Sequence, residues 1–507
     1  MREITGAIIG ITLVLTAVFI PMGFASGSVG VIYRQFAFSM ATAILFSALL
    51  ALTLTPALCA TLLSAAPPAH ASRGFFAAFN RGFDRLTGRY QGWVASSLKR
   101  SGRMMLAFLA ISVAMALAFN QLASSFLPEE DQGYFMTSFQ LPADATQQRT
   151  LEVVKKYEAA VDTRPGIATN QSINGFGFSG SGANTALAFT VLKDWQQRGA
   201  TSTQQEVLHA QQAMADLPEG SVMSLMPPPI EDLGTSSGFT LRLEDRANQG
   251  YAALQAAQIQ LLQLAAKSDK VTQVYPDGLP PGNSVRLDID REKANAMGVS
   301  FATISETLTA AMGSLYVNDF PNEGRMQQVI IQADAKDRMQ VDDILNLYVR
   351  NSDNNMVALK TFVHPVWYDA PLQQVRYQGY PAIRLSGSAA SGVSSGDAMQ
   401  EMERLAQQLP KGFVLEWTGQ SLQEQQSAAQ APMLMALSML VVFLVLAALY
   451  ESWAIPLAVM LVVPLGLMGA AAAVLLREMP NDGFFKVGLI TEIGLSAKNA
   501  ILFIEFA

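Results

Sequence analysis

The chain has 507 residues, half of them hydrophobic and only 15% charged, against about 25% charged in ordinary soluble domains, so part of it is built for lipid. A net charge of -7 without a Lys/Arg block in the mixed region argues against nucleic acid, which needs a basic footprint, and tolerates cationic small molecules. The lone cysteine, Cys59, excludes an intrachain disulfide or redox pair, and the scattered His70, His209 and His364 give no metal-ligand spacing.

A bilayer-spanning helix needs about 20 mostly apolar residues. Six stretches qualify, at 4–24, 36–63, 104–122, 433–450, 455–476 and 486–506, and they crowd the two ends of the chain. Phe24-Ala25-Ser26-Gly27 loosely resembles a signal-peptide cleavage site, but a second apolar run follows at once and makes a hairpin. Between the second and third spans lie Arg73, Arg81, Arg85, Arg89, Lys99, Arg100 and Arg103, which place that connection in the cytoplasm. The short loop Gly27-Ser28-Val29-Gly30 and the long segment between spans three and four then lie outside; Arg477 and Lys486 on that side are outnumbered. The last span reaches Ala507 with no polar flank beyond Glu505, from which the sequence is expected to be cut.

Residues 130–430 read as mixed globular sequence. Residues 134–141 predict a strand, and Asp144 is expected to cap a helix carrying Leu151, Val154 and Val161 on one face and ended by Pro165. Strands follow near 167–174 and 186–195, then a helix with Val207, Ala210, Met214 and Leu217 in step, then a strand at 221–226. The order β-α-β-β-α-β is the ferredoxin-like pattern. A second pass runs through a strand at 238–244, a helix at 248–266 and a strand at 284–290, is interrupted by an α+β module at about 290–375, and resumes with a strand at 380–387, a helix at 396–409 and a strand at 412–418.

Gly175-Phe176-Gly177-Phe178-Ser179-Gly180 has the spacing of a dinucleotide-binding fingerprint, which must open a helix; here a strand-like run follows, so nucleotide binding is rejected. Such a loop can be a mobile aromatic clamp, with glycine for freedom and Phe176 and Phe178 for apolar area, or a hairpin with both rings in the core; periodicity leaves both open. Phe189, inside the next strand, reads as core. Lys498 lies midway along the last span, where a lysine is costly and marks function by default, paired with an acid. Glu492 and Glu505 sit at helical positions unsuited to a close pair, so the acid is expected on another helix.

The strings 494–502 (GLSAKNAIL) with 505–507 (EFA), 449–453 (LYESW), 462–466 (VVPLG), 174–178 (NGFGF), 125–128 (SFLP) with 131–133 (DQG), and 54–59 (LTPALC) closely resemble the inner-membrane pumps of the hydrophobe/amphiphile efflux branch of the resistance-nodulation-division family. The resemblance implies an α-helical transmembrane domain plus an α+β periplasmic domain of ferredoxin-like split βαβ porter units with an inserted α+β docking module. It implies a homotrimer with twelve spans per subunit, working in the bacterial inner membrane with a periplasmic adaptor protein and an outer-membrane channel. The function implied is proton-driven export of amphiphilic small-molecule drugs; this is no enzyme, it uses no cofactor beyond the coupling proton, and no phosphate loop for ATP is present. The implied organisation is a transmembrane hairpin at 1–64 (spans five and six), a cytoplasmic amphipathic-helix loop at 65–103 and span seven at 104–125. A first porter unit follows at 130–228, a second in halves at 229–289 and 376–425 around a channel-docking insertion at 290–375, and spans eight to ten at 430–507.

By position, the resemblance makes the loop at 174–182, with Gly175, Gly177, Gly180 and Gly182, a switch loop between outer and inner drug pockets. Phe176, Phe178 and Phe189, with Asn174 beside them, would line the inner pocket. Met136, Ser138, Gln140, Asp232 and Arg325 would lie at the entrance, and Lys498 would be the cation of the proton relay. Gln171 stands where the best-known pumps carry another phenylalanine and Ser181 where they carry an arginine, which implies a shifted drug spectrum; Glu492 replaces a small polar residue, and nothing in the sequence explains that acid. A heavy-metal exporter of the same superfamily needs ligands lining a path, and the methionines form no such cluster. A membrane-anchored scaffold without transport, or a truncated gene fragment, is the alternative of a different class.

Overall fold

A computed structural model of the chain describes residues 2–62, 75–128, 130–178, 180–217, 220–230, 233–234 and 237–505. The chain opens with α1 (Arg2–Val18), a short turn at Pro21–Phe24, α2 (Gly27–Leu52) and α3 (Leu54–Leu62). Pro56 has no N–H for the Leu52 carbonyl and its ring obstructs that turn, and α2 ends at Leu52. Helix α4 (Phe75–Lys99) exposes Phe79, Phe83, Leu86, Tyr90 and Trp93 at helical spacing, and α5 (Ser101–Gln121) follows it directly.

The first sheet unit contains β1 (Tyr134–Gln140), α6 (Gln147–Val161), β2 (Ile167–Gly177), β3 (Gly180–Leu192), α7 (Thr203–Ala213) and β4 (Ser221–Leu225), with antiparallel strands in the order β2-β3-β1-β4. The cap of α6 is Thr146, whose hydroxyl accepts from the Arg149 N–H, and not Asp144. Asp144 lies two residues too early: the Thr146 backbone has the extended conformation of an N-cap and Gln147 begins the helix. Phe135 and Phe139 of β1 turn toward α6, where Phe139 meets the Tyr157 ring edge-on at 5.2 Å. Asp131, just before β1, accepts from Arg198 Nη2 (2.7 Å), Thr203 Oγ1 (2.6 Å), Thr203 N (2.9 Å) and Gly133 N (3.0 Å), which fastens the chain leaving α5 to the start of α7.

The second unit begins with β5 (Phe239–Asp245), α8 (Tyr251–Ala265) and β6 (Val271–Pro276). An insertion then runs through β7 (Gly282–Ile289), α9 (Arg291–Ala296), α10 (Phe301–Leu308), β8 (Leu315–Asn322), β9 (Arg325–Ile331), α11 (Val341–Leu345), β10 (Tyr348–Arg350), β11 (Met356–Ala358) and β12 (Val363–Ala370). The unit resumes with β13 (Val375–Tyr377), β14 (Tyr380–Ala389), α12 (Ser395–Ala406) and β15 (Phe413–Trp417). Its sheet has the order β13-β14-β5-β15, with β6 also paired to β14. The strand expected at 284–290 is present as β7 but pairs with β12, outside this sheet; the place on β14 is taken by β6, a segment with no expected strand. The two-stranded stem β7–β12 thus belongs to the insertion, which has its own small core around Ile304, Leu359 and Phe362.

Helix α13 (Gly419–Tyr450) starts directly after β15 and is followed by α14 (Ala454–Met460), α15 (Val463–Leu476) and α16 (Gly483–Glu505). At 1.5 Å per residue, α13 is about 48 Å long, so one continuous helix, with Pro432 inside it, joins the second sheet to the apolar helices. The apolar core runs through α1, α2, α13, α15 and α16, with Val14, Val18, Tyr33, Val442, Leu446, Leu467 and Ile493 buried. Among the described residues, six spans are long and apolar enough to cross a membrane: Thr5–Phe24, Gly27–Leu62, Ser101–Gln121, Gly419–Tyr450, Ala454–Leu476 and Gly483–Ile504. The second and fourth begin well before the expected 36 and 433, because the helical hydrogen bonding continues past the apolar stretch.

Candidate functional site

A cavity of about 1660 Å³ lies between the two sheet units and the stem of the insertion. Strand alternation explains the wall given by the first unit. In β1, Phe135 and Phe139 face the helices, so Met136, Ser138 and Gln140 share the opposite face. Cross-strand register adds Phe189, opposite Met136 on one side and Gln171 on the other. Ser138, Gln140 and Phe178 line the cavity, together with Met223 and Leu225 of β4. Met136, buried, and Phe189, half-buried, lie on that same face without lining the cavity.

The glycine-rich run joins two strands of one hairpin, which is the wrong context for a pyrophosphate. Gly175 (φ +86°) and Gly180 (φ +146°) take backbone conformations that side chains rarely adopt, and the register shifts between Asn174 and Phe176. That irregularity separates the two rings: Phe178 is half-buried at the cavity, whereas Phe176 is 47% exposed. Asn174 pairs with Ala186, a residue of the helix-side core, and so falls on the face away from Phe189. Gly177 pairs with Gly180, and Gly182 sits beside the Asn184 side chain.

Asp232 lies outside the described residues. Arg325 does not reach the cavity: it begins β9 opposite Asn322, at the turn of the exposed β8–β9 hairpin, because the insertion carries that hairpin away from the sheets. The cavity wall contains groups for which the sequence carries only a weak signal. Arg242 on β5 and Arg384 on β14 read as ordinary polar positions of alternating strands, yet the register sets them directly opposite one another, and both line the cavity. Arg384 Nη2 pairs with Asp277 Oδ2 at 2.5 Å, and the Arg242 guanidinium lies over the Tyr377 ring at 5.5 Å. Burial, then the charge of Arg384, pushes the Arg242 pKa below the usual guanidinium value.

In the apolar helices, Lys498 is exposed on α16, on the side away from the buried row Ile493, Ala497 and Ile501, and has no ion pair among the described residues. Glu492 accepts from Ser496 Oγ at 2.8 Å and is set against Gly466 of α15, where an added Cβ would clash with its carboxylate. A second polar group was not foreseen: Glu424, Lys486 and Asp482 are all buried where α13 and α16 begin, and Glu424 accepts from Ser395 Oγ at 2.7 Å. Backbone hydrogen bonds from Ser125 to Asn481 (3.2 Å), Gly483 to Phe126 (2.9 Å) and Gly396 to Ser124 (3.2 Å) knit the strand leaving α5 to the starts of α16 and α12. Acids and a lysine flanking apolar runs are the only signal for this cluster in the sequence.

The model of the AcrB/AcrD/AcrF family matches residues 1–507. Over its whole length the chain is 46% identical to the multidrug export protein AcrF and 45% identical to the multidrug resistance protein MdtF, both of Escherichia coli strain K12. It is 44% identical to the solvent-resistant pump membrane transporter SrpB of Pseudomonas putida. The chain spans about half the length of these curated relatives, 49–50% of each.

Proposed function

The chain belongs to the AcrB/AcrD/AcrF family, the resistance-nodulation-division efflux transporters, and from that premise we propose that it is part of a proton-driven pump exporting amphiphilic drugs and other toxic compounds. The observation that carries this reading is the cavity between two sheet units, one of which is continuous with a helix long enough to enter the bilayer. The strand orders β2-β3-β1-β4 and β13-β14-β5-β15 support reading the two sheets as ferredoxin-like porter domains in the periplasm, with the insertion docking toward an outer-membrane channel. The apolar helices would be spans five to ten of twelve in an inner-membrane homotrimer that works with an adaptor protein. The switch-loop role of residues 174–182 belongs to the same proposal.

The relatives are transporters, and the transport proposed here breaks no bond of its cargo. Protonation of acids facing Lys498 would change the charge around that lysine and shift α16 against α1 and α15. Helix α13 would carry the shift to the second sheet, so that the cleft opens to one side and then the other. The binding work is done by the cleft: Phe178, Leu225 and their neighbours shed water onto an apolar body, and Ser138 and Gln140 orient its polar groups.

The test loads a pump-deficient bacterial strain, expressing a full-length transporter that carries these residues, with an aromatic dye. Energised cells should expel the dye, and a protonophore should stop expulsion at unchanged ATP. Dye retention by energised cells sinks the reading.

A further inference from the structure

Drug-sized ligands fill roughly 300–1,000 Å³, so the cleft of about 1660 Å³ leaves its walls to select the cargo. Most charged groups near it are already answered. Arg384 holds Asp277, while Arg246 pairs with both Glu244 and Glu416, the latter directly across from Arg242 on β15. Asp144, Asp369 and Arg376 lie exposed at the rim, screened by water. Arg242 differs: it is half-buried and no carboxylate lies within ion-pair distance of it among the described residues; across the strands it faces Arg384 on one side and Glu416, which Arg246 holds, on the other, and Asp277 nearby is held by Arg384. The Nε atoms of both Arg242 and Arg384 are buried without a hydrogen-bond partner. An orphaned guanidinium donor is costly, and two side by side are compensated by an anion able to accept from both.

We infer that Arg242, with Arg384 beside it, is an anion-recognising subsite of the cleft, and that the cleft takes amphiphiles bearing a carboxylate or sulfonate head. The apolar body would lie along Leu254, Ile259, Leu279 and Trp367, which line the same cavity. Charge-assisted hydrogen bonds from a planar guanidinium suit a carboxylate, and the apolar wall excludes the water that would otherwise solvate it. This assignment rests on the reading of the cleft as a drug-binding site, and it narrows the cargo by charge.

The test compares two probes with the same fluorophore and opposite charge, dansylglycine and dansylcadaverine, titrated against a detergent-purified full-length transporter that carries these residues. Arg242→Met should weaken dansylglycine binding by about 10-fold to 100-fold, the scale of one lost charge-assisted hydrogen bond or two, and leave dansylcadaverine within about 2-fold. Asp277→Asn, which frees Arg384, should tighten dansylglycine, and Arg242→Lys should retain most of its affinity. Should Arg242→Met fail to fold, the Asp277→Asn result decides. Equal weakening of both probes, or no change in either variant, overturns the subsite and leaves the export reading standing. If the unaltered transporter binds neither probe, the cleft is no drug site and both readings fall.

Discussion

The cleft and the last apolar helix present two kinds of unusual residue. In the cleft, the Arg384–Asp277 pair, the Ser138 and Gln140 side chains and the Phe178 ring all come from strands and loops that meet within this chain, and they enclose a space. On α16, Lys498 stands exposed on a helix face that nothing among the described residues covers, while Glu492 on the same helix is engaged by Ser496. An isolated lysine at the centre of a bilayer costs on the order of 3 kcal/mol. The lesson is that a binding surface can be completed by local strand pairing, whereas an intramembrane charge calls for a partner surface, proposed for Lys498 as a helix presenting a carboxylate.

The largest expected effect breaks the second site. Lys498→Ala in a full-length transporter should abolish dye export, while crosslinking shows assembly unchanged; normal export would remove Lys498 from the relay. Next come the two rings of the glycine-rich hairpin, which the structure separates. Phe178→Ala should reduce export of aromatic dyes several-fold, and Phe176→Ala, with its ring 47% exposed, should change it less. Initial efflux rates for a panel of dyes distinguish them, and a larger effect at Phe176 would mean that the loop turns its other ring to the cargo.

How much of this was legible in the sequence depended on the range of the interaction. Apolar spans, strand alternation and the β-α-β-β-α-β order are local patterns, and the first unit follows them closely, down to the hairpin that rules out a nucleotide loop. The stem β7–β12 escaped because its paired residues lie 74 (Ile289 to Val363) to 88 (Gly282 to Ala370) positions apart, and nothing in the strand at 282–289 says which edge it will join. For the same reason Arg242 and Arg384 read as unremarkable polar positions: only the register of β5 on β14, fixed by their shared core, places one arginine against the other. Of the residues the resemblance implies, Phe178, Ser138 and Gln140 line the cleft, whereas Arg325 lies on the inserted β8–β9 hairpin away from it, a placement that no local motif encodes.

The smallest effect sharpens the contrast between sheets and apolar helices. Burial alone would raise the Asp131 pKa, but the hydrogen bonds from Thr203, Arg198 and Gly133 outweigh it and hold the carboxyl at about 2. A carboxylate depressed in the folded state stabilises fully above its unfolded value near 4, and that contribution is lost as pH falls through about 2. After discount for a side chain 31% exposed, the loss is about 1–2 kcal/mol. Glu401 in the second unit is also held at about 2, first by Arg404, so both sheets should weaken over the same window, whereas the packing of α1 and α16 rests on apolar contacts. Thermal unfolding followed by circular dichroism at pH 7 and pH 3 should show the loss. Asp131→Asn should lower the stability at pH 7 and shrink the difference between the two pH values; an undiminished difference would assign the acid sensitivity elsewhere.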